Sequence, residues 1–225
     1  MARVPQGAQE YLEAIYEMEE EGGRIHQARL VKRLGVSAAT VSEHVRRLEK
    51  ERLIGIQGRD ISLTEGGKDL ALPLVRRHRL AERLLTDILE IPWHRAHEEA
   101  HAWEHVISPE VEERILVKTG ARTCPHGNPI PGFDPPYDRE ALISLNELSE
   151  GERGILALLT EDVELVTGVL KYFEDKSLVP GADILVVSVG PDGTLMLEIG
   201  DQTASLGPEL ADNLWVTRQP PTSPV

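Results

Sequence analysis

Apolar residues recur at helical spacing through the first half of the chain and at strand spacing beyond it. Over residues 7–21, Tyr11, Leu12, Ile15, Tyr16 and Met18 alternate with acids, which predicts an amphipathic helix ending at Gly22-Gly23. Residues 27–34 predict a short helix, followed by Gly35-Val36-Ser37. Ser37 is a good N-cap, and a basic helix is predicted over Ala38–Lys50. Two short runs, Leu53–Gln57 and Ile61–Thr64, flank Gly58-Arg59-Asp60 and predict a hairpin. Helix, helix, turn, helix, hairpin is the order of a winged helix-turn-helix. A long helix is predicted from Glu65 to Glu90, bent or broken at Pro73, then one from His94 to Ile107. Ser108-Pro109-Glu110 starts another, through Lys118. Residues 120–140 hold five prolines and three glycines and read as loop and linker. Further on, Ile155–Leu159, Ile184–Val189 and Leu195–Ile199 read as strands, with turns at Gly190–Gly193 and Gly200-Asp201.

The expected fold is therefore mainly α with a small β domain. Residues 1–72 form the winged helix-turn-helix, 73–140 a helical domain with its Pro-rich linker, 141–217 a compact β-barrel, and 218–225 a disordered tail.

One segment carries most of the chemistry: His97-Glu-Glu-Ala-His101-Ala-Trp-Glu104-His105. At about 100° per residue, His97, His101, Glu104 and His105 share one stripe. Ala102, Trp103, Val106 and Ile107 fall on the other side, giving a metal face and a packing face. His78 and Glu82 stand one helical turn apart, spacing that lets one ion bridge them. Cys124-Pro-His126 lacks further cysteines and reads as loop. His26, His44 and His94 receive no role.

Charge has to be read locally. The net charge of −14 is wrong for a uniformly nucleic-acid-binding chain. Residues 27–68, however, carry nine Lys/Arg against five Asp/Glu, and residues 141–225 carry four against fourteen. A basic patch thus survives where the helix-turn-helix falls. Small and hydroxyl side chains at the start of its second helix permit close approach to base edges. Ser37, Ala39, Thr40 and Glu43 are the base-facing candidates; Arg46, Arg47, Lys50 and, at the wing tip, Arg59 are the phosphate candidates. The single cysteine excludes an intramolecular disulfide and suits a reducing cytoplasm. No apolar run reaches the ~18 residues of a membrane span, and the first residues lack a signal-peptide core.

These stretches resemble a known family, the diphtheria toxin repressor and manganese transport regulator (DtxR/MntR) family. The matching segments are Tyr11–Gly22, Thr40-Val-Ser42, Arg77–Asp87, Trp103–Val106 and Gly127–Gly132, in order, across the first 132 residues. The resemblance implies a homodimeric, metal-activated regulator of a palindromic operator in double-stranded DNA, with an SH3-like (FeoA-like) C-terminal domain. It assigns the primary metal site to Glu10, His101, Glu104 and His105. Iron-responsive members carry methionine and cysteine where Glu10 and His101 stand; manganese-responsive members carry carboxylates at both. Glu13 matches a further carboxylate of the manganese branch. The ancillary site of the iron branch matches His78, Glu82 and His97, although the manganese branch uses the His78 position in its primary cluster. Counting back from Gly181 adds Glu161 and Glu164 from the β domain.

The assigned set contains imidazole and carboxylate but no sulfur, which suits Mn(II), Fe(II), Co(II) or Zn(II) and disfavours Cu(I). Several carboxylates permit six-coordination, so Mn(II) is favoured and Fe(II) next, with Co(II) or Zn(II) able to substitute. The expected activity is repression of metal-uptake genes when metal is plentiful; activation of export genes is compatible with the same residues. Neither a membrane nor a small-molecule substrate is expected as a partner. The rival enzyme reading is a zinc peptidase built on His101-Ala-Trp-Glu104-His105, the H-x-x-E-H order, which leaves the helix-turn-helix unexplained. A metal-storage protein would bind metal without metal-dependent DNA affinity.

Overall fold

A computed structural model describes residues 5–220. The described residues fall into two compact units. The first comprises those up to His78 together with Trp103–Ile107; the second comprises Arg79–Ala102 and the residues from Ser108 onward.

In the first unit, α1 (Gln6–Glu21), α2 (Gln27–Leu34), α3 (Ala38–Lys50), β1 (Ile54–Gln57) and β2 (Asp60–Leu63) realise the winged helix-turn-helix in the expected order. Leu12, Ile15, Met18, Leu30, Val41, Val45, Leu48, Ile54 and Ile61 form its core. Gly35 takes a left-handed φ of 64° to end α2, a conformation that is cheap only for glycine. Ser37 then caps α3, its Oγ accepting from Thr40 N at 3.1 Å. Arg33 of α2 is buried and donates to Glu17 at 3.2 Å and Glu21 at 2.6 Å, clipping α2 to α1. Glu19 accepts from Leu63 N at 2.7 Å, so α1 also holds the wing.

The helix expected over 65–90 is shorter. α4 (Glu65–Arg83) passes through Pro73 without breaking, then gives way to a π-helical turn over Leu84–Ile88, where Leu89 N bonds Leu84 O at 3.0 Å. A 3-10 turn at Trp93–Arg95 leads into α5 (Ala96–Trp103). α5 ends four residues before the expected stop at Ile107. Pro109 disfavours helical backbone at Ser108, which is extended and caps α6 (Pro109–Thr119). The chain must leave α5 before then, and it does so in a turn at Glu104–Val106. The expected packing face is corrected accordingly. Ile107 is buried as expected and Trp103 is half-buried, but Ala102 is exposed and Val106 is 76% exposed, while Ala96 and Ala100 are buried instead.

In the second unit, β3 (Leu142–Ser144), β4 (Arg153–Leu159), β5 (Asp183–Val189), β6 (Leu195–Ile199), β7 (Gln202–Leu206) and β8 (Leu214–Arg218) make one antiparallel sheet of order β3-β8-β4-β5-β6-β7. Irregular register between Leu156 and Leu158, and between Val186 and Ser188, bends it. Leu156, Ile184, Val186, Leu197, Leu206, Leu214 and Val216 fill its inner side with Phe173 and Leu178. Short helices α7 (Glu161–Glu164), α8 (Val169–Asp175) and α9 (Pro208–Ala211) fill the connections. Arg218, expected to open a disordered tail, instead ends β8, and residues 221–225 of that expected tail lie outside the described residues.

The Pro-rich segment is irregular as expected, but it is no loose linker. Residues 124–131 are all buried. Cys124 N bonds Asn128 O at 2.8 Å, Leu159 N bonds His126 O at 2.9 Å, and Tyr137 Oη donates to Gly127 O at 2.8 Å. Gly127 has φ 95°, and a Cβ there would lie 2.1 Å from Ala157 O, so only glycine lets the loop lie against β4. Among the described residues no helix is long and apolar enough to cross a membrane.

Candidate metal centres and nucleic-acid face

The second unit buries five ionisable side chains against one another. α4 supplies Glu82, α5 supplies His97, α7 supplies Glu161 and Glu164, and the Pro-rich loop supplies His126. Glu161 and Glu164 are three apart on one helical turn and so share a face. His97 Nδ1 lies 3.0 Å from Glu164, 3.5 Å from Glu82 and 3.6 Å from Glu161. His126 Nδ1 lies 3.0 Å from both Glu82 and Glu164. Donor atoms of Glu82, Cys124 and His126 lie within 4.8 Å of one another, as do those of His97, Glu161 and Glu164.

Supporting bonds fix this arrangement. Asn128 donates to Glu164 at 3.2 Å and to Leu159 O at 3.0 Å. Arg83 holds the Pro-rich loop through Thr123 O at 2.8 Å and Cys124 O at 3.2 Å. Trp93 Nε1 donates to Pro125 O at 2.9 Å, and its ring lies 4.5 Å from that of His126. Trp93 N and His94 both bond Glu174 of α8, at 2.9 and 2.6 Å.

Three carboxylates buried together are costly unless cations offset them. A permanent cation, Arg79, lies 3.5 Å from Glu161. Burial pulls the His126 imidazole toward neutrality, but Glu164 and Glu82 together outweigh it and raise its pKa well above the ordinary value. Burial and the Glu164 charge push the Glu161 carboxyl up to about 7, against His97 and Arg79. Burial opposes ionisation of Glu164 too, yet His126 and His97 hold it low. Burial, reinforced by Glu82, pushes the Cys124 thiol up to about 12. The donor set of carboxylate, imidazole and one thiol suits a divalent first-row ion, whose charge would offset the buried carboxylates. Cys124 stands beside Glu82 and His126, so a thiol lies next to the sulfur-free set expected from sequence.

The first unit gathers a smaller group. His78 Nδ1 lies 2.6 Å from Glu104 Oε2, both residues almost fully buried, and His105 Nε2 lies 3.3 Å from Glu104 Oε1. Glu104 and His105 reach this place from the turn after α5, not from its helical stripe. Glu13 is buried on α1, whereas Glu10 is exposed. His101, on α5 in the second unit, is exposed and places its Nε2 3.3 Å from His97 Nε2.

His126 and Cys124 are the residues that the sequence reading missed. The signal was present in their one-residue separation and in the Gly127–Gly132 stretch beside them. What was hidden was the burial of an irregular segment.

On the opposite function, Ser37, Ala39, Thr40 and Glu43 are all exposed on α3 and its cap. Arg46, Arg47 and Lys50 follow, exposed, and Arg59 is exposed at the wing tip. Arg46 donates to Ser42 at 2.9 Å and Arg47 to Glu51 at 3.0 Å. A shallow groove of about 340 Å³ runs past His26, Gln27, Ala28, Gly58 and Arg59, between the start of α2 and the wing.

A winged helix-turn-helix in one chain with buried carboxylate–imidazole clusters defines a metal-responsive DNA-binding protein. Three family descriptions match in sequence. They are the iron dependent repressor N-terminal DNA binding domain over residues 5–60, its metal binding and dimerisation domain over 64–132, and the FeoA domain over 143–218. The iron-dependent repressor IdeR of Mycobacterium tuberculosis (strain H37Rv) is 38% identical over 219 residues, spanning 92% of this chain and 95% of the relative. The diphtheria toxin repressor of Corynebacterium diphtheriae is 47% identical over 126 residues, spanning 55% and 56% of the two chains. Among solved structures, a manganese-dependent transcriptional repressor in complex with manganese aligns with TM-score 0.81 at 30% identity, covering 94% of this chain and all of the other. ScaR with bound zinc aligns with TM-score 0.74 at 27% identity, covering 93% and 98%. The chain belongs to the iron-dependent repressor (DtxR) family of metal-dependent transcriptional repressors, which are not enzymes.

Proposed function

We propose that this repressor is activated by Mn(II), with Fe(II) next, and that it silences metal-uptake genes in the cytoplasm when metal is plentiful. The observation that carries the metal dependence is the buried group of Glu82, His97, His126, Glu161 and Glu164, which packs three carboxylates and two imidazoles together. These residues, with Cys124, would hold one ion. His78, Glu104 and His105, with Glu13 and Glu10 from α1, would hold the other. The family resemblance adds His101 to that second set.

The sulfur-free donors of the second set support Mn(II), because carboxylate and imidazole match that ion and several carboxylates allow six ligands. An iron-dependent and a manganese-dependent relative, and a relative with zinc bound, bracket the same choice. Ile88 and Leu89, each 47% exposed in the segment matched to the dimerisation domain, supply an apolar surface for a homodimer. Two copies of α3 then read the half-sites of a palindrome, with the bases facing Ser37, Ala39, Thr40 and Glu43 and the phosphates facing Arg46, Arg47, Lys50 and Arg59. Functionally the chain divides as 1–72, 73–140 and 141–217.

The metal supplies positive charge and fixed ligand geometry. The residues supply the coupling: α1 carries Glu10 and Glu13 and packs on α3 and the wing, so ordering the acids of α1 also orders the reading head. His101→Ala tests the assignment of His101 to the second set. Operator affinity in excess Mn(II) is expected to fall to the value measured in chelator, with the circular dichroism spectrum unchanged. Full Mn(II) stimulation in the variant would remove His101 from the ligand set.

A further inference from the structure

α1 meets the reading helix α3 through a ring stack that neither metal cluster uses. The rings of Tyr11 and His44 lie with centroids 4.5 Å apart and planes within 4° of parallel. Tyr11 is 4% exposed. Gly7, one turn earlier on α1, faces the same ring, and a Cβ built there would stand 3.7 Å from His44 Cε1. His44 therefore seats against the face formed by Gly7 and Tyr11. Neither Tyr11 Oη nor His44 Nδ1 has a hydrogen-bond partner among the described residues, so ring contact alone joins the two side chains. On α3 His44 directly follows Glu43 and lies one turn beyond Thr40, both base-facing candidates. On α1 Tyr11 directly follows Glu10, the exposed acid of the proposed ligand set.

We propose that the Tyr11–His44 stack is the positioning contact that transmits metal occupancy at the Glu10 end of α1 to the base-reading turn of α3. The inference rests on the proposed function above. Drawing the Glu10 carboxylate onto a metal fixes the turn that carries Tyr11. Its ring, flat against His44, then fixes the rotation of α3 about its own axis. A contact of this kind adds no ligand to the metal and no donor to DNA. It changes only the free energy that links the two binding events, and that linkage is reciprocal: metal strengthens DNA binding by the same factor by which DNA strengthens metal binding.

The test is a thermodynamic cycle on the full chain, using Mn(II) and a DNA duplex selected for binding by the wild type. DNA affinity is measured in Mn(II) and in chelator, and Mn(II) affinity is measured with and without DNA. For His44→Ala, DNA affinity in chelator and Mn(II) affinity without DNA are expected to stay within about twofold of wild type, while the coupling factor drops about fivefold or more in both legs of the cycle. His44→Phe, which restores a flat ring, is expected to retain the wild-type factor. If His44→Ala does not fold, His44→Leu fills the space without a stacking ring and takes its place. Unchanged coupling in the ring-less variant, an equal loss of DNA affinity with and without metal, or a phenylalanine variant as uncoupled as the alanine one would each overturn the proposal. Absence of Mn(II) stimulation in the wild type would instead defeat the proposed function, so the two failures are distinguishable.

Discussion

Glu104→Gln is expected to abolish metal-stimulated operator binding while leaving the fold and the metal-free DNA affinity in place. Glu104 is almost fully buried and stands between two imidazoles, 2.6 Å from His78 and 3.3 Å from His105. The amide fills the same space, so no cavity opens. It carries no charge, however, and a neutral amide oxygen is a much weaker ligand for a divalent ion. A coupling free energy of about 1–3 kcal/mol is typical of such switches and corresponds to a change in DNA affinity of about 5–150-fold. That whole factor is expected to vanish, as read by fluorescence anisotropy on a labelled duplex with Mn(II) and with chelator. A variant that still responds to Mn(II) like the wild type would place the activating ion elsewhere.

The largest effect on stability is expected from Gly127→Ala. At φ 95° any other residue is strained, and the added Cβ would meet Ala157 O at 2.1 Å and the Leu158 backbone at 2.7 Å. Backbone atoms of β4 cannot swing aside as a flexible side chain can. The loop must lift, and it carries His126 and Cys124 out of the buried cluster with it. A loss of about 3 kcal/mol or more follows, near the upper end for single substitutions. For a chain of this size that lowers the melting midpoint by about 6–12 °C. Mn(II) is expected to restore less of the lost midpoint than it adds to the wild type, because two cluster donors are displaced. Wild-type melting in Gly127→Ala would show that the loop is not seated against β4 as described.

The two units were unequally legible in the sequence. The winged helix-turn-helix was read nearly residue by residue. Its signals are local: Gly35 ends α2, Ser37 caps α3, and apolar spacing marks the buried face of each helix. The ends of α4 and α5 were misread for the opposite reason. Periodic side chains continued past the points where the backbone turned. Glu104 and His105 kept the spacing of a helical stripe, yet Ser108, held extended before Pro109, required the chain to leave the helix sooner. In the β domain the three most apolar strands were found. β3 was missed because it has only three residues, and β7 and β8 because polar residues interrupt their apolar ones (Gln202-Thr203-Ala204-Ser205-Leu206 and Leu214-Trp215-Val216-Thr217-Arg218). The buried carboxylate–imidazole cluster was legible through Glu82, His97, Glu161 and Glu164, the last two only by counting along a resemblance. His126 was missed because proline and glycine density signals an irregular backbone but says nothing of burial. Here eight consecutive residues of such a backbone lie inside the fold.

Metal-dependent reading of DNA is the claim on which the rest depends, and one selection tests it directly. Bound duplexes would be recovered from a random pool with excess Mn(II), and again with chelator, at one fixed salt concentration. A palindrome is expected to be enriched with Mn(II) and not with chelator. Enrichment of the same sequence in both conditions, or of none in either, would contradict it.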